Sequence, residues 1–516
     1  MTASTIRLSV VACACALAAL FALHDGSLVA QEPVVDQGAV ADQTSAEAQA
    51  PAPPQFLTTP ARLLALTQAA SQQLNYIPGE VIVKFRQGVT PGQQTRALAA
   101  LRSRPAADQL QWIADRTARI SDPADPDSIG MAQNLARQPE VEYAHPNWLL
   151  HKQSVPNDTS YAARQWNMTL LDMPRAWDIN PGGAGVTVAV IDTGLTSITA
   201  TYPFKTWDGT AIVTAQMPFA INPDFDAARI AAGRDFVFWN GPVLDSDGHG
   251  THVSGTVAQT TNNSLGYAGM AYGAKLMPLK VCLSFWDIQI LQAEFGITGY
   301  PPLNAGGCPD SDVVAAIHYA ADNGAKVINL SLGGTDPSPS FRDALNYATG
   351  RGVFVAMSAG NEFDDGNPTT YPASYGPQVA GAMAVGAVGR SSNRAAYSST
   401  GTFVEIAAPG GDVADGGGNG VVWQMGISYV DYDPAVIIFP RFDRYGSVGY
   451  QGTSMASPHV AGLAALLMSQ GVTKPAAVEA LIAATARDLG AKGRDNDFGA
   501  GLIQPRAALR GFGVVR

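Results

Sequence analysis

The sequence predicts an α/β protein: a parallel sheet covered by helices on both faces, a three-layer body, preceded by a smaller α+β unit. Three observations carry this. Beyond residue 186, short apolar runs at 186–192, 274–281, 325–332, 353–358 and 382–387 alternate with helical stretches at 253–259, 311–323, 340–350, 456–469 and 475–486. Near-continuous apolar strands separated by helices are the pattern of a sheet buried on both faces. One run, Val188-Ala189-Val190-Ile191-Asp192-Thr193-Gly194, ends in a carboxylate and a glycine. A buried parallel strand delivers a side chain in this way to the carboxyl edge of the sheet, where α/β proteins keep their sites. The third observation is a change of texture before residue 153, where strand and helix patterns are shorter and mixed.

Taken in order, residues 1–30 hold Arg7, an uncharged run from Leu8 to Leu23, and Leu28-Val29-Ala30. This reads as a signal peptide cut near Ala30, the apolar run being short for a membrane span. Residues 31–75 are rich in Ala, Gln and Pro and form a low-complexity linker, with Thr59-Pro60 placed to start a short helix through Leu74. Residues 76–152 form the α+β unit. Gly79 to Phe85 alternates as a strand, Gln94 to Leu101 is helical, Gln111 to Ile120 extended, Ile129 to Arg137 helical, and Val141 to Asn147 a closing strand. Residues 153–516 form the body.

A net charge of −11 with only 15% charged residues, and the lack of any basic patch or phosphate-binding loop, argue against a nucleic-acid partner. The body contains two of the four cysteines, Cys282 and Cys308.

Two further stretches join the Asp192 strand. Asp247-Gly248-His249-Gly250-Thr251-His252 holds a histidine between glycines just before a helix. Gly452-Thr453-Ser454-Met455-Ala456-Ser457-Pro458-His459 leads small residues into a serine, followed by an apolar run from Val460 to Met468. A lone serine there would usually be a helix cap. A hydroxyl becomes a nucleophile when an imidazole takes its proton, and the imidazole needs a carboxylate to set its tautomer. His249 and His252 as a metal pair is the rival, but no adjacent glutamate completes a zinc-hydrolase helix motif. His252 and His459 are read as packed core residues.

With Asp192, His249 and Ser454 in that order, the chain resembles the subtilisin-like serine peptidases over roughly residues 154–510. The resemblance implies their fold, and an exported serine endopeptidase that forms an acyl-enzyme on Ser454. It also implies that 76–152 is an inhibitory, folding-assisting propeptide removed autocatalytically between Leu149 and Pro156. Asn361, in Ala356-Met357-Ser358-Ala359-Gly360-Asn361, matches the family's oxyanion-hole asparagine; a turn residue after Gly360 is the plainer reading. Ser331-Leu332-Gly333-Gly334 matches the segment that pairs with an extended substrate, together with Ala359 and Gly360. Thr370, in Thr369-Thr370-Tyr371-Pro372-Ala373, stands where many relatives carry glycine and implies a shallower specificity pocket. Asn262 to Tyr267 resembles the family's calcium loop, with Asn263, Leu265 and Tyr267 as ligands; a remote carboxylate is not identifiable, and a turn without metal remains open. No catalytic cofactor is implied.

Relative to the shortest family members there are three insertions, 195–244, 283–307 and 410–450. The second is bracketed by Cys282 and Cys308, which an exported protein would join, contributing about 3 kcal/mol by loop entropy. The third insertion either shapes the cleft rim or covers the body. The expected partners are peptide substrates and the chain's own propeptide, with no nucleic acid, no stable membrane association once the signal is removed, and a monomeric state. A catalytically silent scaffold of the same fold, or an enzyme restricted to esters or a few peptides, stays as the alternative.

Overall fold

The computed structural model describes residues 59–511, apart from 72–73, 75, 103, 105–109, 150–154, 239–240, 303 and 429–439. The expected signal segment, most of the linker and most of the expected propeptide junction lie outside the described residues.

The N-terminal unit begins with helix α1 (Pro60–Ser71), followed by strand β1 (Tyr76–Phe85), α2 (Pro91–Leu98), β2 (Gln111–Ala114), β3 (Thr117–Ser121), α3 (Ser128–Ala136) and β4 (Val141–Trp148). The strands form one sheet in the order β2-β3-β1-β4. Val81, Val83, Phe85, Leu98, Ile120, Met131 and Leu135 close its core. The stretch read as extended from Gln111 to Ile120 is a hairpin instead: the chain turns at Asp115-Arg116, with Arg116 in the left-handed region at φ 52°. No glycine or proline marks that turn, so alternation alone could not reveal it.

In the body, three short helices, α4 (Tyr161–Arg164), α5 (Trp166–Leu170) and α6 (Met173–Trp177), precede the central strand β5 (Thr187–Asp192). A hairpin follows, β6 (Ala200–Trp207) with β7 (Ile212–Phe219), then the two-residue β8 (Arg234–Asp235), α7 (His249–Ala258) and β9 (Lys275–Lys280). Next come α8 (Phe285–Glu294), α9 (Asp310–Asp322), β10 (Val327–Leu330), α10 (Pro339–Gly350), β11 (Phe354–Ser358), β12 (Ala382–Val388) and β13 (Ile406–Pro409). A second hairpin, β14 (Val422–Ile427) with β15 (Tyr445–Tyr450), leads into α11 (Thr453–Ser469), α12 (Pro475–Thr485) and α13 (Pro505–Gly511).

The seven-stranded sheet has the order β13-β12-β11-β10-β5-β9-β8, with every pairing parallel. From the β5/β10 boundary, chain order runs outward through β10, β11, β12 and β13 on one side, while on the other β9 pairs with β5 and the earlier β8 lies at the edge. The carboxyl ends of β5 and β10 therefore flank the switch point at which an open α/β sheet leaves a crevice. One core fills the face beneath α7, α11 and α12, the other the face beneath α9 and α10. Helix α11 is buried nearly all round, Met455 to Met468 lying at 8% exposure or less, which explains its unbroken apolar and small-residue composition.

The three insertions converge. Ala215, Met217 and Phe219 of the first, Trp286 and Ile290 of the second, and Ile427 and Phe442 of the third share one satellite core. Phe219 stacks on Phe442 at 4.8 Å between ring centres, and Thr206 Oγ1 donates to Gln289 Oε1 at 2.7 Å. Cys282 and Cys308 are joined by a disulfide that closes the second insertion at its base.

Candidate active site

Asp192 is the last residue of β5, His249 the first of α7 and Ser454 the second of α11. His249 Nδ1 lies 2.7 Å from Asp192 Oδ1. Because a carboxylate can only accept, in the neutral imidazole this bond places the proton on Nδ1 and leaves the lone pair on Nε2. Burial works against the imidazolium, but the carboxylates of Asp192, Asp247 and Asp245 outweigh it and raise the His249 pKa to about 9.

Helix α7 starts four residues earlier than expected, at His249 rather than Val253. Its N-cap, Gly248, carries no side chain to satisfy the first N–H groups. Aspartates ahead of the helix supply acceptors: Asp247 Oδ1 accepts from His249 N at 3.1 Å and Asp245 Oδ2 from Thr251 N at 3.0 Å and Thr251 Oγ1 at 2.6 Å, while Asp245 Oδ1 fixes the approach through Asp247 N and Gly248 N at 3.0 and 2.9 Å. Thr193 ties the two arms together, donating to Asp245 Oδ1 at 3.1 Å and accepting from Gly250 N at 2.8 Å. Gly250 also packs so closely on the backbone of Gly194 that a Cβ there would collide with the Gly194 carbonyl.

Helix α11 likewise begins at Thr453, not 456. Pro458 lies inside it and has no N–H to offer the carbonyl four residues back, which belongs to Ser454. Ser331 Oγ fills that vacancy at 2.7 Å, held in turn by Asn329 Nδ2 at 2.9 Å, while Ser457 Oγ donates to Asn329 Oδ1 at 2.8 Å. The Ser454 hydroxyl donates to the Ser331 carbonyl at 3.3 Å. The end of β10 and the start of α11 are thereby locked together.

Asn361 follows the end of β11. Its Oδ1 accepts from Thr453 N and Thr453 Oγ1 at 2.9 and 3.0 Å, which orients the amide so that Nδ2 remains to donate. Gly452 adopts φ 153°, ψ 159°, a region open essentially to glycine alone. A Cβ on Gly452 would stand 3.6 Å from Ser454 N and 3.7 Å from both Nδ2 and Oδ1 of Asn361, so the Asn361 amide and the Ser454 N–H border the same space.

Of the expected substrate residues, Gly334 pairs with Tyr371 through reciprocal backbone bonds of 2.9 and 2.8 Å. Ser331 and Leu332 follow the end of β10, Ala359 is fully buried with its N–H on Val385 O at 3.0 Å, and Gly360 N donates to Thr453 Oγ1 at 3.1 Å. Thr370 fills the gap between the two glycines. A Cβ on Gly333 would meet Thr370 Cγ2 at 2.8 Å; one on Gly360 would run into Thr370 Oγ1, with Glu362 Oε2 at 2.6 Å and Ser399 Oγ at 2.9 Å. His252 and His459 are fully buried, each bonded to a backbone carbonyl, Val422 O and Met455 O, and desolvation lowers their pKa values to about 3 and 4.

The loop 262–267 faces two carboxylates that sequence reasoning did not identify. Asp224 accepts from Asn263 Nδ2 and Tyr267 N at 2.8 and 2.9 Å, and Asp158 from Asn262 N at 3.0 Å. Desolvation, with a contribution from Asp158, pushes Asp224 up to about 7. Carboxylate oxygens are the donors that a hard cation takes, but here both carboxylates accept from N–H groups of the loop, and Asn263 Oδ1 accepts from Leu265 N at 2.9 Å. Among the described residues no cluster of three or more His, Cys, Asp or Glu is arranged to hold a metal. Asp224 was missed because it lies 39 residues from its loop partner Asn263.

The arrangement pairs a carboxylate with an imidazole and sets a serine at the start of a buried helix. The subtilase family matches residues 183–501, and the fervidolysin N-terminal prodomain matches residues 65–147. A thermophilic serine proteinase of Bacillus sp. (strain AK1) is 34% identical over 398 residues, covering 77% of this chain and 79% of that one. An extracellular protease of Xanthomonas campestris pv. campestris is 34% identical over 421 residues, covering 76% of this chain and 63% of that one. Among solved structures, a protease from Pseudoalteromonas arctica PAMC 21717 is similar at a TM-score of 0.52 and 28% identity, over 69% of this chain and 99% of that chain. With more than half of its length matched, and with a prodomain ahead of that match, the chain belongs to the subtilase family of serine endopeptidases.

Proposed function

We propose that Ser454 is the nucleophile, His249 the general base and then acid, Asp192 the group that orients the imidazole, and Asn361 Nδ2 with Ser454 N the oxyanion donors. The observation that carries this is the Asp192–His249 bond at the sheet's switch point, with Ser454 at the start of the buried helix α11, which packs against the helix that His249 opens. Ser454 Oγ attacks the peptide carbonyl carbon as its proton passes to His249 Nε2. The carbonyl oxygen takes the charge against the two donors. The carbon–nitrogen bond breaks as His249 returns the proton to the leaving amine, and water, deprotonated by the same imidazole, releases the acid from Ser454.

The segment 76–152 is the propeptide that this activity removes, the body from about 153 being the mature enzyme. Export follows from the apolar segment 8–23 and accords with the extracellular relative in Xanthomonas. The mature chain acts as a monomer on peptide substrates. Intact-mass measurement of wild type beside Ser454→Ala tests the reading. Wild type is expected to lose about 150 N-terminal residues while the variant stays long. Two folded, full-length proteins would refute self-processing by Ser454.

Because His249 must be neutral to accept the proton, its raised pKa dictates an alkaline enzyme. Below pH 9 the imidazolium dominates, and at pH 7 only about one molecule in a hundred carries the free base. The acid limb of kcat/KM on a peptide anilide is therefore expected near pH 9; a limb near 6.5 would contradict this.

Thr370, wedged between Gly333 and Gly360, restricts the residue before the cut bond to small side chains. Thr370→Gly is expected to raise kcat/KM for phenylalanine over alanine at that position by about tenfold or more, measured on a matched substrate pair.

Calcium is proposed as a structural ligand held by Asp224, Asp158 and Asn263 with the Leu265 and Tyr267 carbonyls. Chelation of Ser454→Ala protein is expected to lower Tm by about 5 °C or more in calorimetry. An unchanged Tm would mean that the loop closes by its own hydrogen bonds alone.

A further inference from the structure

Beneath the catalytic couple lies an ion pair that the reaction does not use. Lys280, the last residue of β9, is fully buried, and its Nζ lies 2.8 Å from Asp287 Oδ2 on α8, itself 1% exposed. The same ammonium donates to the Thr193 carbonyl at 2.9 Å and to Ser246 Oγ at 3.4 Å. Asp287 Oδ1 accepts from Ser246 Oγ at 2.7 Å, and its Oδ2 accepts from Ser284 N at 2.9 Å. Thr193 follows Asp192 directly, and Ser246 adjoins Asp245, which caps the helix that begins at His249. The pair thus grips both arms of the site from below. The acid arrives on the second insertion, at the root of the disulfide-closed loop. There Val281 N and Cys282 N both donate to the Asp192 carbonyl, at 2.9 and 3.2 Å.

A buried ion pair is a poor source of net stability, because desolvation offsets the attraction; its sounder use is to enforce one arrangement. We propose that Lys280 and Asp287 are a positioning pair for the catalytic acid–base couple, holding Asp192 through Thr193 and His249 through Ser246, with the acid supplied by the clipped insertion. This rests on the reading of Asp192, His249 and Ser454 given above. Burial opposes the Lys280 charge, but Asp287, Asp245 and Asp235 together outweigh it and raise the pKa. The groups facing His249 are Asp192, Asp247 and Asp245, with His252 also near enough to interact. Loosening the grip on Asp192 and His249 weakens the Asp192 bond that raises the His249 pKa, and so moves its titration down.

The test is steady-state kinetics of the processed full-length product across pH, with Ser454→Ala as the blank. Asp287→Asn is expected to lower kcat about tenfold with KM within about twofold, and to move the acid limb down by about half a pH unit or more. Lys280→Met combined with Asp287→Leu removes both charges and their bonds to Thr193 and Ser246, so kcat is expected low and the limb as far down as in Asp287→Asn. Asp287→Glu keeps the charge and displaces it, so the limb is expected unmoved and kcat about threefold lower; this variant decides the matter if Asp287→Asn fails to fold. A lowered kcat without movement of the limb in Asp287→Asn would reduce the pair to a packing role and overturn the proposal, as would a wild-type kcat in Asp287→Glu. If wild type and Ser454→Ala are equally inactive, the catalytic reading fails first and the proposal falls with it.

Discussion

Replacing Ser454 by alanine is expected to leave a folded protein whose kcat on peptide substrates has dropped by about 10⁶, a magnitude known for subtilisin and carried over to this relative. The hydroxyl's one hydrogen bond is the 3.3 Å contact with the Ser331 carbonyl, so its removal costs at most about 1 kcal/mol of stability. The carbonyl of Ser454 is unaffected, since Ser331 Oγ still bonds it. Loss of rate therefore reports chemistry rather than unfolding. Rates above uncatalysed hydrolysis by about 10³–10⁴ should survive, because Asn361 and the backbone donors still bind the charged oxygen. The readout is kcat on a peptide anilide, with circular dichroism confirming the fold. Loss of less than a hundredfold would mean that Ser454 is not the nucleophile.

Asn361→Ala is expected to lower kcat by about 10²–10³ with KM nearly unchanged, because the donated bond strengthens only as the carbonyl oxygen becomes an anion. The substitution has a second effect. Asn361 Oδ1 is the acceptor for Thr453 N and Oγ1, and losing it frays the first turn of the helix that contains Ser454. Asn361→Asp separates the two roles. The aspartate keeps an acceptor for Thr453 but turns the donor into a negative charge aimed at the developing oxyanion. It should melt close to wild type yet lose at least as much rate as alanine. An aspartate variant with near wild-type kcat would show that Nδ2 does not serve the oxyanion.

Much of the body was legible because its signals are local. Apolar β-branched runs set β5, β9, β10, β11 and β12 within a residue or two of their observed ends, since a strand buried on both faces needs unbroken hydrophobicity. Helices α7 and α11 were read as starting late. Their first turns are built of glycine, serine, threonine and histidine, poor helix formers that a distant acceptor, Asp245, or a facing strand end, Ser331, compensates. The Asp115-Arg116 turn was invisible because neither residue advertises a positive φ.

The prodomain, and Asp192, His249, Ser454 and Asn361 as candidates, could be named from the sequence, because the motifs that suggest them are written in a few adjacent residues. Tertiary structure alone decided what depends on pairs far apart in the chain. It brought Asp224 to the 262–267 loop, set Thr370 between Gly333 and Gly360, gathered three insertions around Phe219 and Phe442, and buried Lys280 against Asp287 under the site. The physical reason is that a buried charge or aromatic ring is stable only with its partner in place. A linear pattern shows the residue but not the partner, which the packing of the sheet and its insertions supplies.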